Sequence, residues 1–145
     1  MLKKLLSSAA ASLDPAGITT PEEAIRLSGE LLARAGKATK AYSERMIEAY
    51  RSLGSYIVLS PGIAFPHARP GNDVLDVGVS FVRLPGGVTF GHEQNDPVTL
   101  IFALCSPNND AHIELLSSLS RLLSTPETLV YFKNAKTHDE LISKL

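Results

Sequence analysis

Val98-Thr99-Leu100-Ile101-Phe102-Ala103-Leu104 is apolar almost without interruption. A strand with one face in water alternates apolar and polar residues. A run that does not alternate suits a central strand covered on both faces. Such a strand needs layers above and below it, and the chain supplies them on either side. Immediately downstream, Pro107-Asn108-Asn109-Asp110 stops the strand and offers capping side chains for a helix. The inner stripe of that helix reads His112, Leu115, Leu116, Leu119, Leu122 and Leu123.

Working upstream, Val77 to Leu84 reads as a strand in which Val77, Val79 and Phe81 alternate with smaller or polar neighbours. Pro85-Gly86-Gly87 should then turn it toward Val88-Thr89-Phe90. Tyr56-Ile57-Val58-Leu59 is a β-rich run closed by Ser60-Pro61-Gly62, and Ile63-Ala64-Phe65 resumes until Pro66 removes a backbone donor. Two helices precede these strands. The first opens at Thr20-Pro21-Glu22-Glu23 with a capping box, carries Ala24, Leu27, Leu31 and Leu32, and ends at Gly36. The second runs from about Thr39 to Leu53 with Tyr42, Met46, Tyr50 and Leu53 inward and Gly54 beyond.

Further on, Thr125-Pro126-Glu127 starts a short helix, and Thr137-His138-Asp139-Glu140 is a second capping box opening a last one with Leu141, Ile142 and Leu145 inward. At the other end, Lys3 and Lys4 before Leu5 and Leu6 imitate a signal peptide. Ser7 and Ser8 interrupt the apolar part, so a short helix or loose arm is expected from Met1 to Leu13. The pattern predicts an α/β sandwich, a mixed β-sheet between helices, with residues 1–145 forming a single domain.

Bulk properties exclude several functions. Among 145 residues, 14 basic side chains balance 15 acidic ones, and they are scattered, so no field is available to hold nucleic acid. No segment is long enough to span a bilayer as a helix. Cys105 is the one cysteine, which precludes an internal disulfide and fits a reducing, cytoplasmic setting. The four histidines are dispersed, so no zinc-like spacing arises and no metal is expected. Gly86-Gly87 followed by Val88-Thr89 lacks the lysine and helix of a phosphate-binding loop.

His67 is the leading candidate for chemistry. Gly62 and Pro66 bracket the strand end before it, and Ala68-Arg69-Pro70-Gly71 opens a rigid loop after it, a common way to display a functional side chain. By itself, a histidine beside a proline is more often an ordinary turn residue. His112 begins a helix that follows the central strand and can approach the edge where His67 emerges. A neutral core histidine satisfied by backbone groups is the competing reading. His92, in a polar loop, and His138, at a helix start, have adequate structural explanations, as has Cys105 as a small core residue.

Ser60-Pro61-Gly62-Ile63-Ala64-Phe65-Pro66-His67 resembles the active-site signature of the enzyme IIA proteins of the phosphoenolpyruvate-dependent sugar phosphotransferase system, in their mannitol/fructose class. The resemblance extends over nearly the whole chain. Arg51, and His112 within Asn109-Asp110-Ala111-His112-Ile113, fall where that class places an active-site arginine and a second histidine. Tyr56 to Gly62, the Arg69-Pro70 pair and Phe90 to Val98 look most like the branch serving L-ascorbate.

The resemblance implies that His67 receives a phosphoryl group from the histidine-containing phosphocarrier protein HPr and passes it to a cysteine of the IIB component. The membrane IIC component would be served indirectly, without cofactor or metal. A neutral imidazole is nucleophilic near neutral pH, and its N–P bond stays reactive enough to transfer onward. Phosphoryl transfer is helped mainly by alignment and by compensation of negative charge. His112 would therefore donate a hydrogen bond to the phosphoryl oxygens beside the free amides of its helix start, and Arg51 would add charge-assisted bonds. Arg51 as a solvated residue on the outer helix face is the alternative. Two other functions stay open: a regulatory protein switched by phosphorylation of His67, and a small-molecule module whose pocket the two histidines merely line.

Overall fold

The computed structural model describes residues 2–8 and 10–145. In chain order the elements are α1 (Leu2–Ser8), β1 (Ala11–Leu13), α2 (Pro21–Arg34), α3 (Lys40–Leu53), a 3₁₀ turn (Ser55–Ile57), β2 (Val58–Ser60) and β3 (Ile63–Ala64). They continue with β4 (Gly78–Val88), β5 (Val98–Cys105), α4 (Asn109–Leu123), α5 (Pro126–Asn134) and α6 (His138–Ser143). Among the described residues five strands form one sheet in the order β1-β4-β5-β3-β2. It is mixed: β1 and β4 are parallel, as are β3 and β5, while β4 with β5 and β2 with β3 are antiparallel.

The run that decides the fold takes the middle place, and from Leu100 onward its alternate residues feed two separate cores. Val98, Ile101, Ala103 and Cys105 pack with residues of α2 and α3 such as Leu32, Tyr42 and Met46. Leu100, Phe102 and Leu104 face the other way, against Leu115 and Leu119 of α4, Phe132 of α5 and Leu141 of α6. On that second side Phe65, Phe81 and Phe132 all contact the Phe102 ring, at centroid separations of 6.1, 4.8 and 5.1 Å. These are stacked and edge-on arrangements that aromatic quadrupoles favour. The mixed sheet between helical layers expected from the sequence is therefore the fold observed.

Helix boundaries follow their caps. Thr20 accepts from the Glu23 amide, and the Glu23 carboxylate accepts from the Thr20 amide, closing the box at the start of α2. At α6 Thr137 accepts from the Glu140 amide, but the Glu140 carboxylate accepts from the Lys136 amide rather than from Thr137, so the second expected box closes only by half. Where α2 crosses α3, a Cβ on Gly29 would collide with Ser43 Oγ, so the absent side chain is what lets the helices approach. Arg83 is buried and ties the edge of the sheet to α5. Its Nε and Nη2 donate to Asp14 at 2.8 and 3.0 Å, and Nη1 donates to the Phe132 and Ala135 carbonyls.

Four local expectations are corrected. Pro85-Gly86-Gly87 does not turn the chain; β4 runs through it, with its register against β5 shifting between Arg83 and Val88. A positive φ of 75° at Gly87 lets the strand bulge without ending. Tyr56 and Ile57 belong to the 3₁₀ turn rather than a strand, leaving β2 only three residues. Leu53 points outward, 65% exposed. Ala11–Leu13, expected as part of a helix or loose arm, pairs in parallel with Phe81–Arg83 as an edge strand. The N-terminal helix expectation is met by Leu2–Ser8, although Met1 and Ala9 lie outside the described residues.

Candidate active site

β3 and β5 are parallel neighbours, so both leave the sheet at the same edge, the carboxyl edge where open α/β sheets assemble their sites. After β3 the chain stays close: the Phe65 amide donates to the Ile57 carbonyl, and the Leu104 amide of β5 donates to the Pro66 carbonyl at 2.9 Å. His67 follows immediately. After β5, Asn108 caps α4 by accepting from the Ala111 amide at 2.8 Å, which places His112 in the helix's first turn. The two imidazoles meet with centroids 4.8 Å apart and planes tilted by 44°. The sequence-predicted approach of His67 and His112 is thus realised.

The His67 ring has a defined polarity. Nδ1 lies 2.7 Å from the Phe65 carbonyl, which can only accept, so Nδ1 carries a proton and in the neutral ring the lone pair falls to Nε2. Tyr56 stands edge-on to the same ring, 5.7 Å away. Its hydroxyl is held above the usual phenol range by partial burial and so stays neutral. Burial, and secondarily the neighbouring His67, hold His112 below the ordinary histidine value. At neutral pH His112 is therefore uncharged, able to donate from one nitrogen.

A network behind the loop fixes where His67 sits. The buried Tyr42 hydroxyl donates to the Leu104 carbonyl at 2.5 Å and accepts from the Ala68 amide at 3.0 Å, stapling the loop after His67 to the end of β5. Arg45 lies over the Tyr42 ring and grips Asp73 with two bonds of 2.7 and 2.6 Å. Arg45 Nη2 also donates to the Arg69 carbonyl at 2.8 Å. Asp73, hydrogen-bonded by that guanidinium, is held below the usual carboxylate range. The rigid loop expected at Ala68-Arg69-Pro70-Gly71 thus has its cause in α3.

Arg51 is not brought into this set. Its Nε faces Glu22 at 3.7 Å, with the side chain 56% exposed, on the flank of α3 that meets α2. The face of α3 that walls the His67 cleft carries Arg45, Glu48, Ala49 and Leu53 instead. Arg51 is not among the residues that line the cleft and sits round the helix from its centre, so in this structure no contact supports the resemblance-based expectation for Arg51. His92 and His138 hold structure. His92 Nδ1 accepts from the Asn95 amide at 3.1 Å, and His138 Nε2 lies 2.9 Å from the Leu6 carbonyl, joining α6 to α1. Burial pushes the Cys105 thiol up to about 12, which keeps it unreactive.

Tyr56, Tyr42 and the Arg45–Asp73 pair went unrecognised in the sequence as parts of the site. One signal was available: a tyrosine on a buried stripe must find a partner for its hydroxyl, and Tyr42 finds it at the loop. The 3₁₀ turn that redirects Tyr56 has no comparable mark.

Comparison with known proteins agrees with this architecture. A family model described as the phosphoenolpyruvate-dependent sugar phosphotransferase system, EIIA 2, matches residues 5–145. The chain belongs to that family. It is 33% identical over 123 residues to the phosphotransferase IIA component SgcA of Escherichia coli K12, covering 83% of this chain and 85% of the relative. It is 27% identical to the ascorbate-specific PTS system EIIA component of the same organism, over 85% of this chain and 80% of that one. Among solved structures, the Escherichia coli mannitol enzyme IIA, determined in complex with phosphorylated mannitol enzyme IIB, superposes with a TM-score of 0.79 at 29% identity. That match covers 94% of this chain and 95% of the other. No helix among the described residues is long and apolar enough to cross a membrane.

Proposed function

We propose that this chain is a cytoplasmic phosphohistidine carrier, a single domain that takes a phosphoryl group from HPr onto Nε2 of His67 and delivers it to a cysteine of a IIB component. The observation that carries this reading is the pair of imidazoles at the carboxyl edge, one with its proton pinned on Nδ1 by the Phe65 carbonyl. In the first step the P–N bond to the donor histidine breaks, its electron pair staying on the donor nitrogen, while the His67 Nε2 lone pair forms the new bond. The Nδ1 proton stays in place. The ring then bears positive charge, which the Phe65 carbonyl compensates, and the phosphoryl group remains dianionic. In the second step the Nε2–P bond breaks toward Nε2 as a thiolate sulfur takes the phosphorus.

His112, neutral and adjacent, donates to the phosphoryl oxygens. Two amides of its helix start are already used: Ala111 donates to the Asn108 side chain and His112 to the Asn108 carbonyl. The side chain is therefore the better-aimed donor. The exposed apolar residues around the pair, Leu53, Tyr56 and Ile113, suit a surface that partners touch briefly. Likeness to ascorbate-specific components favours L-ascorbate or a related carbohydrate as the eventual cargo.

Incubation with phosphoenolpyruvate, enzyme I and HPr tests the reading. Wild type should take label and His67→Ala none; equal absence of label in both defeats it. For His112→Ala, labelling should survive more slowly while transfer onward collapses, and unchanged transfer in both directions would remove His112 from the mechanism. A panel of IIB components then separates roles. Rapid delivery to one of them supports transport, whereas a labelled protein that delivers to none would favour the regulatory switch.

A further inference from the structure

We propose that Arg69 is the cation that binds the phosphoryl oxygens on His67, in the place where resemblance would put Arg51. The inference rests on the carrier reading above. His67 opens onto a cleft of about 440 Å³, and the charged side chains lining it are Arg45, Glu48 and Arg69. Arg45 is spent: its fork is closed on Asp73, and its remaining bond goes to a backbone carbonyl. Glu48 is an anion that accepts from Ser52 at 3.4 Å, and it cannot compensate a dianion.

Arg69 is the opposite case. Its backbone is gripped, through the bond from Arg45 Nη2 to its carbonyl, and Pro70 restricts the next residue. Its guanidinium, by contrast, has no ion pair or hydrogen bond among the described residues and is exposed in the same cleft as His67. A fixed main chain under an unoccupied planar fork is what recognition of an incoming anion requires, because the ordering of the backbone precedes binding. Arg51 has its carboxylate partner already, on the far flank of α3.

The test is single-turnover transfer from phosphorylated HPr to this chain and from this chain to its IIB partner, with wild type, Arg69→Gln, Arg69→Lys and Arg51→Gln. Removing one preorganised donor for developing charge costs roughly 100-fold in rate, and this site is more open, so Arg69→Gln should slow both steps by about 10- to 100-fold. The loss should appear in the rate at saturating partner, with Arg69→Lys recovering part of it. Phosphorus NMR supplies a readout that folding alone would not move. The second phosphoryl ionisation should lie at lower pH in wild type than in Arg69→Gln, since a guanidinium contact favours the dianion. Arg69→Gln removes no side-chain hydrogen bond or ion pair among the described residues, so its thermal midpoint should stay close to wild type.

A labelled wild type equalled in both rates by Arg69→Gln overturns the assignment alone, as does a loss confined to KM, which would make Arg69 a docking residue. A larger loss in Arg51→Gln than in Arg69→Gln also overturns it. A wild type that takes no label overturns the carrier reading and this assignment with it.

Discussion

At the residue scale, the half-buried His112 is the most informative titrating group. Its folded-state value lies below the ordinary 6.5, so the folded chain refuses a proton that the unfolded chain accepts. The sign follows: its contribution to stability is complete above about pH 6.5 and is lost as pH falls from there through the folded value. Wild type should therefore lose more stability between pH 7 and pH 5 than His112→Asn, measured by urea midpoints across that range. Phosphorylation should reverse the shift. A dianion beside His112 favours its protonated form, so its imidazole proton resonances should titrate at higher pH in the phosphorylated protein than in the free one. An unmoved titration would mean that the phosphoryl group and His112 do not touch.

At the scale of elements, the site depends on α3 reaching across to the loop after β3. Tyr42→Phe keeps the ring in the core and removes the hydroxyl, leaving the Ala68 amide and the Leu104 carbonyl without it. Such orphaned groups cost about 1–3 kcal/mol. Urea unfolding should show a loss in that range, and amide exchange should quicken at Ala68 and neighbouring loop positions while the rest of the sheet stays protected. Protection unchanged at Ala68 would show that the Arg45–Asp73 clamp alone holds the loop. The same scale explains what the sequence disclosed and what it hid. Caps announced themselves, because Thr20 with Glu23 and Thr137 with Glu140 are local pairs. β5 announced itself because a strand packed on both faces cannot alternate. Ala11–Leu13 was hidden because three residues carry no period, and its pairing with β4 depends on residues about seventy positions away. Pro85-Gly86-Gly87 misled because the signal for a turn is also the signal for a bulge, and only the partner strand decides between them.

At the scale of the whole molecule, the imidazole pair was legible only as a juxtaposition to be expected. Sequence placed His67 where one strand stops and His112 at the start of the helix after another, and it took the parallel pairing of β3 with β5 to bring them together. Arg51 shows the limit of register. Spacing along a chain does not say which way α3 is turned against its neighbours, and here it is turned so that Arg51 lies beside Glu22. The two cores lie on opposite faces of β5, and at the sheet's carboxyl edge His67 is walled by α3, the Tyr56 turn and the start of α4. That enclosure has a kinetic consequence on the carrier reading. With those walls around the ring, Nε2 should admit one partner at a time, so donor and acceptor should not be seated together and the protein should work as a turnstile. Steady-state rates plotted reciprocally against HPr, at several fixed IIB concentrations, should give parallel lines. Excess unphosphorylated IIB should make the flux fall after a maximum instead of levelling off, because each idle IIB on the doorway keeps the next HPr outside. Intersecting lines would mean that a ternary assembly forms and that the doorway is wider than its walls suggest.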